Sequence, residues 1–158
     1  TEKFAPLFGV NMTFNNDLTV NAEYRDARTL NLNSSAGQIV ETTSKQISIG
    51  AGFKFANFNK VLKMAKSQGG VSNDLSLNLD FAFSNNQSLI RRIETAYTQA
   101  TQGTQTFSIN FMASYVLSKR ITLNAYFDHQ VNTPLVSNSS YPTSNSSYGI
   151  SVNMSLAR

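Results

Sequence analysis

His129 is the only histidine of the chain and it follows Asp128 directly. A histidine beside a carboxylate is the start of a general base with its orienter. That chemistry needs both side chains on one side of the backbone. Adjacent residues of an extended strand point to opposite faces, so the pair is not expected to cooperate. One histidine without any cysteine is also a poor basis for a metal site. Gly50-Ala-Gly52 opens like a dinucleotide-binding fingerprint, but the third glycine and the following helix are absent. Lys60, Lys63 and Lys66 form the one local group of bases. With the other bases scattered and a net charge of only +4, no nucleic-acid partner is expected. No catalytic residue, cofactor or metal follows from these groups, and the chain is not expected to be an enzyme. The Asn-x-Ser/Thr triplets are what so Asn- and Ser-rich a chain produces by chance.

The elements that would carry any site alternate with a period of two, which is the strand period. Tyr148, Ile150, Val152, Met154 and Leu156 oppose Gly149, Ser151, Asn153 and Ser155. Leu75 to Phe83, Phe107 to Leu117, Ile121 to Phe127, Ile47 to Phe55, Leu18 to Tyr24 and Phe8 to Phe14 behave alike. The pattern predicts seven strands. Asn15-Asn16-Asp17 and Ser118-Lys119-Arg120 read as tight turns, because short polar side chains tolerate turn geometry. Ser34-Ser35-Ala36-Gly37 and Gln102-Gly103 read as hairpin tips, and Thr133 to Ser147 as a long uncharged loop. Phe58, Val61, Leu62 and Ala65 share one helical face, so residues 56–73 are expected to form a connection with a short helix.

Composition decides between the two architectures that such alternation allows. Asn, Ser and Thr number 18, 20 and 14, while charged residues are 14%, against about 25% in an ordinary soluble domain. Residues 95–118 and 129–157 carry no Asp, Glu, Lys or Arg. A soluble sandwich needs charged outer faces. A membrane barrel needs one lipid-facing apolar face and tolerates a small-polar lumen face. The expected fold is therefore all-β, an antiparallel transmembrane β-barrel segment. The lumen-lining residues on this reading are Asn21, Glu23, Arg25, Gly50, Gly52, Lys54, Asn78, Asp80, Asn110, Asn124 and Asp128. With Asn15-Asn16-Asp17 on the periplasmic side, strand parity makes Ser118-Lys119-Arg120 periplasmic too, along with the 56–73 connection. Thr133 to Ser147 comes out extracellular. Seven is not a closing strand number for a bacterial barrel, and barrels of that class begin at eight strands. No signal peptide opens the sequence, so residues 1–158 are expected to be C-terminal strands of a much larger outer-membrane barrel.

Several stretches, in collinear order over nearly the whole chain, carry a resemblance. They are Thr29-Leu-Asn-Leu-Asn-Ser-Ser-Ala-Gly-Gln-Ile-Val-Glu-Thr-Thr43, Ile49-Gly-Ala-Gly-Phe-Lys-Phe55, Asn59-Lys-Val-Leu-Lys63 and Gly70-Val-Ser-Asn-Asp-Leu-Ser76. Asn86-Gln-Ser-Leu-Ile-Arg-Arg-Ile93, Pro134-Leu-Val-Ser137, Tyr141-Pro-Thr-Ser-Asn145 and Gly149-Ile-Ser151 complete the set. The chain resembles the C-terminal region of the SprA/Sov family, the outer-membrane translocon of the type IX secretion system in Bacteroidota. The resemblance implies a very large single-chain barrel through whose lumen folded cargo crosses the outer membrane. It implies as partners the remainder of that barrel, the lipid bilayer, a PorV-like barrel, a periplasmic plug protein and secreted cargo proteins. A passive porin-like or adhesin-like barrel with no secretion role is the alternative.

Overall fold

The computed structural model describes residues 1–56, 58, 73–92, 97–118, 120–136 and 141–155; of Lys3 and Ala5 only the backbone is described. Seven strands form one antiparallel sheet in sequence order. They are β1 (Glu2–Thr13), β2 (Leu18–Asn33), β3 (Gln38–Phe55), β4 (Leu75–Arg92), β5 (Thr98–Ser118), β6 (Ile121–Pro134) and β7 (Thr143–Met154). The sheet is open, with β1 and β7 as its edges. No helix among the described residues is long and apolar enough to cross a membrane.

The strands outrun the alternation that predicts them. β2 and β3 pair without a break from Leu18↔Phe53 to Asn33↔Gln38, well past the last alternating residues. Ladder hydrogen bonds join backbone groups and do not require an apolar partner on one face. Polar runs such as Thr42-Thr43-Ser44 therefore continue the ladder. Asn15-Asn16-Asp17 is a turn, with Asp17 at φ 59°. Ser34–Ala36 forms a single 3-10 turn at the β2–β3 tip, capped by the Asn33 side chain. Gly37 ends it at φ 56°, in the left-handed region where glycine is least strained. In the short β5–β6 connection Arg120 N–H donates to Ser118 Oγ at 3.3 Å, while Lys119 lies outside the described residues.

Two expected connections fall elsewhere. Gln102 and Gly103 lie inside β5, opposite Ser88 and Gln87, and the β4–β5 connection is at 93–97. Gly103 serves a close approach, since an added Cβ would lie 3.0 Å from two side-chain atoms of Leu135. The ladder slips one residue between Ser88 and Leu89, which leaves Thr101 unpaired. The Thr101 hydroxyl donates to the Ser88 carbonyl across that bulge, at 3.1 Å. The loop expected over Thr133 to Ser147 is shorter, because β6 runs to Pro134 and β7 starts at Thr143. The short helix expected within 56–73 lies outside the described residues. Ala56, Phe58 and Asn73 of that connection are described: Phe58 N–H donates to the Asn73 carbonyl, and the Phe58 ring meets Phe55 and Tyr115.

No hydrophobic residue is buried among the described residues. The accessible surface is 11371 Å², against about 7,900 Å² for a compact monomer of this mass. Among the described residues outside the strands, Phe58 alone packs on the apolar face, at the Phe55–Tyr115 end, and the rest of that face is uncovered. Ile47, Ile49, Phe81, Phe83, Phe107 and Ile150 all stand exposed there.

Candidate functional site

Register assigns every side chain to one of two faces, because paired residues share a face and neighbours alternate. The row Val20, Ala51, Leu79, Phe111, Phe127 and Tyr148 is apolar. One residue along, the row Asn21, Gly50, Asp80, Asn110, Asp128 and Ser147 is polar. All eleven residues singled out as lumen-lining fall on this second face. Asn21, Gly50, Asp80, Asn110 and Asp128 share that single row. Gly52 and Asn78 pair in the row beside it, Glu23 and Arg25 lie along β2, Lys54 lies on β3, and Asn124 pairs with Ser114 and Ser151.

Cross-strand side chains account for the two glycines of β3. A Cβ at Gly50 would collide with the side-chain oxygens of both Asn21 and Asp80. At Gly52 it would meet Thr19 Oγ1 at 2.6 Å and Asn78 Oδ1 at 2.9 Å. The flanking polar side chains lean over the glycines, and the row is filled without a third side chain. Phe at Gly50 is therefore expected to cost about 1–3 kcal/mol, as overpacking does. The denaturation midpoint of the Gly50→Phe variant, compared with that of Gly9→Phe, checks this. An added Cβ at Gly9 meets only Pro6, at ordinary contact distance.

The charges on the polar face are not equivalent. Arg25 grips Glu23 with two hydrogen bonds, both 2.9 Å, from Nε and Nη2. Lys54 Nζ lies 2.9 Å from Asp74. These pairs neutralise themselves. Asp80 and Asp128 have no cationic partner among the described residues; Asp128 accepts only a 3.3 Å hydrogen bond from Ser147. Both border a groove of about 600 Å³ together with Asn78, Asn110, Asn124 and Ser151. Met112 and Tyr126 also line it and are 53% and 42% exposed. The Tyr126 ring lies over Gly149, where a Cβ would come within 2.7 Å of it. Alternation places these two residues on the polar face but gives them no weight. The signal that could have found them is a large side chain interrupting a run of small ones.

His129 and Asp128 point to opposite faces. His129 shares the face of Phe127, whose ring is parallel to its own at 6.4 Å. Its Nδ1 is 2.7 Å from Ser146 Oγ. No group of three His, Cys, Asp or Glu side chains able to hold a metal occurs among the described residues.

Beyond the apolar rows, the same face carries a network that alternation alone does not single out. Glu41 is buried at 6% exposure and is approached by Arg28 Nε and Arg91 Nη2, each at 2.6 Å. Arg28 donates a directed hydrogen bond to Oε1. The Arg91 approach is a charge contact, and Oε2 has no hydrogen-bond partner. Parity with Ile47 and Ile49 assigns Glu41 to this face once β3 is extended far enough.

The geometry defines a class: a single antiparallel meander sheet with one largely uncovered apolar face and one small-polar face. No family model matches the chain, and no curated protein matches it.

Proposed function

We propose that this chain is a wall segment of the outer-membrane protein-conducting channel of type IX secretion, exporting folded cargo. On this reading it is no enzyme, and it lies in the outer membrane of a bacterium. Its apolar face touches lipid, and its polar face lines the lumen. It works with the remainder of the same barrel, a PorV-like barrel, a periplasmic plug protein and the cargo.

The observation that carries the membrane part is the obliquity of the apolar band. On β7 the apolar run ends at Tyr148, although the strand continues through Ser146 and Ser144. On β2 to β5 it reaches Tyr24, Ile47, Phe83 and Phe107, one row beyond the Ser146 row. On β1 it reaches Phe4, a row further. Between β7 and β1 the upper margin thus rises three rows, in steps toward its two ends, and it is level over β2 to β5, with Val131 of β6 in that same row. At ~3.4 Å per residue and ~4.8 Å per strand this is about 20 Å in 29 Å, a mean slope near 35° from end to end. A band level with a bilayer has this slope when strands tilt by about 35–45°, as in transmembrane barrels. On β4 the run from Leu75 to Phe83 spans about 27 Å of strand, or ~22 Å of height at that tilt, close to the ~25 Å band of known barrels.

The secretion part is supported by the collinear resemblance and by the small, hydrated wall. Ser, Asn, Thr and Gly present little for a passing folded protein to adhere to. The test is cargo in the culture medium from cells carrying variants of the full-length protein. Aromatic replacement of Gly50, Gly52 and Ser76 together is expected to lower export severely. His129→Ala is expected to leave export unchanged, because its ring lies on the lipid side and Ser146 is its one hydrogen-bond partner among the described residues. Normal export from the triple variant at normal barrel level would favour a porin-like role. Lost export from His129→Ala, with the barrel still in the membrane, would reopen a chemical role.

A further inference from the structure

The polar face presents few charges, and they are unevenly used. Glu23 is consumed by Arg25, and Lys54 by Asp74. What remains on the mid-sheet rows is two carboxylates, Asp80 and Asp128. They sit in one row with Asn110 between them. Two strand spacings set their backbones about 10 Å apart. The adjacent row provides Met112 and Tyr126 as an exposed apolar floor, and the row after it provides Asn124 and Ser151.

We propose that this groove is a docking site for a basic, extended polypeptide segment inside the channel. The chemistry is complementary part by part. Asp80 and Asp128 match two cationic side chains two residues apart on an extended chain, which lie on one face ~7 Å apart and reach the two carboxylates with long stems. Met112 and Tyr126 match the aliphatic stems of those cationic side chains. Tyr126 also offers a ring face to a cation. Asn78, Asn110 and Asn124 carry both donors and acceptors, as a peptide backbone requires. An anionic segment meets only repulsion here, and a neutral one gains nothing from the two carboxylates. The site is weak by construction, because both charges face water. Contacts of that kind are individually small, which suits a segment that must let go.

The proposal rests on the polar face lining an aqueous lumen, and the experiment separates the two. The purified full-length barrel is titrated with a fluorescent Lys-Leu-Lys-Leu-Lys peptide at low salt, and binding is read by anisotropy. Saturable binding is expected, absent for the Glu-Leu-Glu-Leu-Glu peptide. Asp80→Asn with Asp128→Asn preserves size and is expected to weaken binding about tenfold, the combined effect of two solvent-screened charge contacts. Met112→Ser is expected to weaken binding of Lys-Leu-Lys-Leu-Lys and Lys-Gly-Lys-Gly-Lys alike, because both lay the same lysine stems on the groove floor. In parallel, Asn110→Cys and Leu79→Cys are exposed to a water-soluble maleimide; this chain has no cysteine of its own. Labelling at 110 and not at 79 upholds the lumen reading. Labelling at 110 with unchanged peptide affinity in the double Asn variant, or equal binding of the acidic peptide, overturns the docking site alone. Displacement of the basic peptide by millimolar Ca²⁺ but not by Na⁺ at equal ionic strength would assign the groove to a divalent cation instead. Labelling at 79 and not at 110 overturns both.

Discussion

Produced alone and refolded into detergent or bilayers, the 158-residue chain is expected to give no discrete, heat-modifiable barrel. The reason lies in its two edges. β1 and β7 are each 12 residues long and each is paired on one side only. Roughly half the backbone groups of an edge strand point away from its partner, which leaves on the order of 20 unpaired donors and acceptors over both edges. In hydrocarbon each unsatisfied group costs several kcal/mol. Even if half of them lie at membrane depth, the penalty runs to tens of kcal/mol. Whole-protein stability is only about 5–15 kcal/mol. Closing the sheet on itself offers no escape. In a seven-strand meander β1 and β7 run the same way, so closure would need a parallel pair among antiparallel ladders. Gel electrophoresis with and without boiling, together with protease protection, tests this. A single heat-modifiable, protease-resistant species formed by these residues alone would overturn the claim that other strands complete the barrel.

The second large effect concerns the apolar face, on the proposal that it meets lipid. Leu79 sits in the middle of the run on β4, with Ala51 and Phe111 opposite it on the neighbouring strands. Leu79→Arg is expected to cost about 2–4 kcal/mol, the midplane value for a lipid-facing arginine. Ile109 and Leu123 lie on the same face but nearer the ends of the oblique band. Arginine there is expected to cost less than at Leu79 and still more than on the other face. Asn78→Arg, Asn110→Arg and Asn124→Arg place the charge in the small-polar rows, where little loss is expected. Unfolding from the bilayer in guanidinium, variant by variant, gives the ranking. Equal costs at Leu79 and Asn78 would mean that neither face meets lipid.

Facing is legible in the residues themselves. A period of two is a local property, written in each strand separately, and it survives any error in where a strand ends. That is why all eleven polar residues lie on one face. Strand limits are less legible. β2 and β3 run on through Asn31, Thr42 and Ser44, and β7 begins at Thr143, because ladder hydrogen bonds are made by backbone that alternation does not mark. Gly103 reads as a tip and is not one, because glycine signals a turn and a close approach with the same letter. The charges are visible one by one, but their pairing is not. Glu23 and Arg25 are two apart on one strand and are decipherable from that spacing. Asp80 and Asp128 become a site only when β5 stands between their strands.

The sequence by itself determined that this is an all-β chain with one apolar and one small-polar face, because composition and period are properties of residues and their immediate neighbours. Only the tertiary structure decided what lies beside what. Register placed Asn21 and Asp80 over Gly50, Tyr126 over Gly149, and Met112 beside the two carboxylates of the groove. Register also turned seven separate apolar runs into one oblique band. Those relations depend on the offset between strands, and each offset is set by backbone pairing and bulges summed along a whole ladder. No single residue carries that sum.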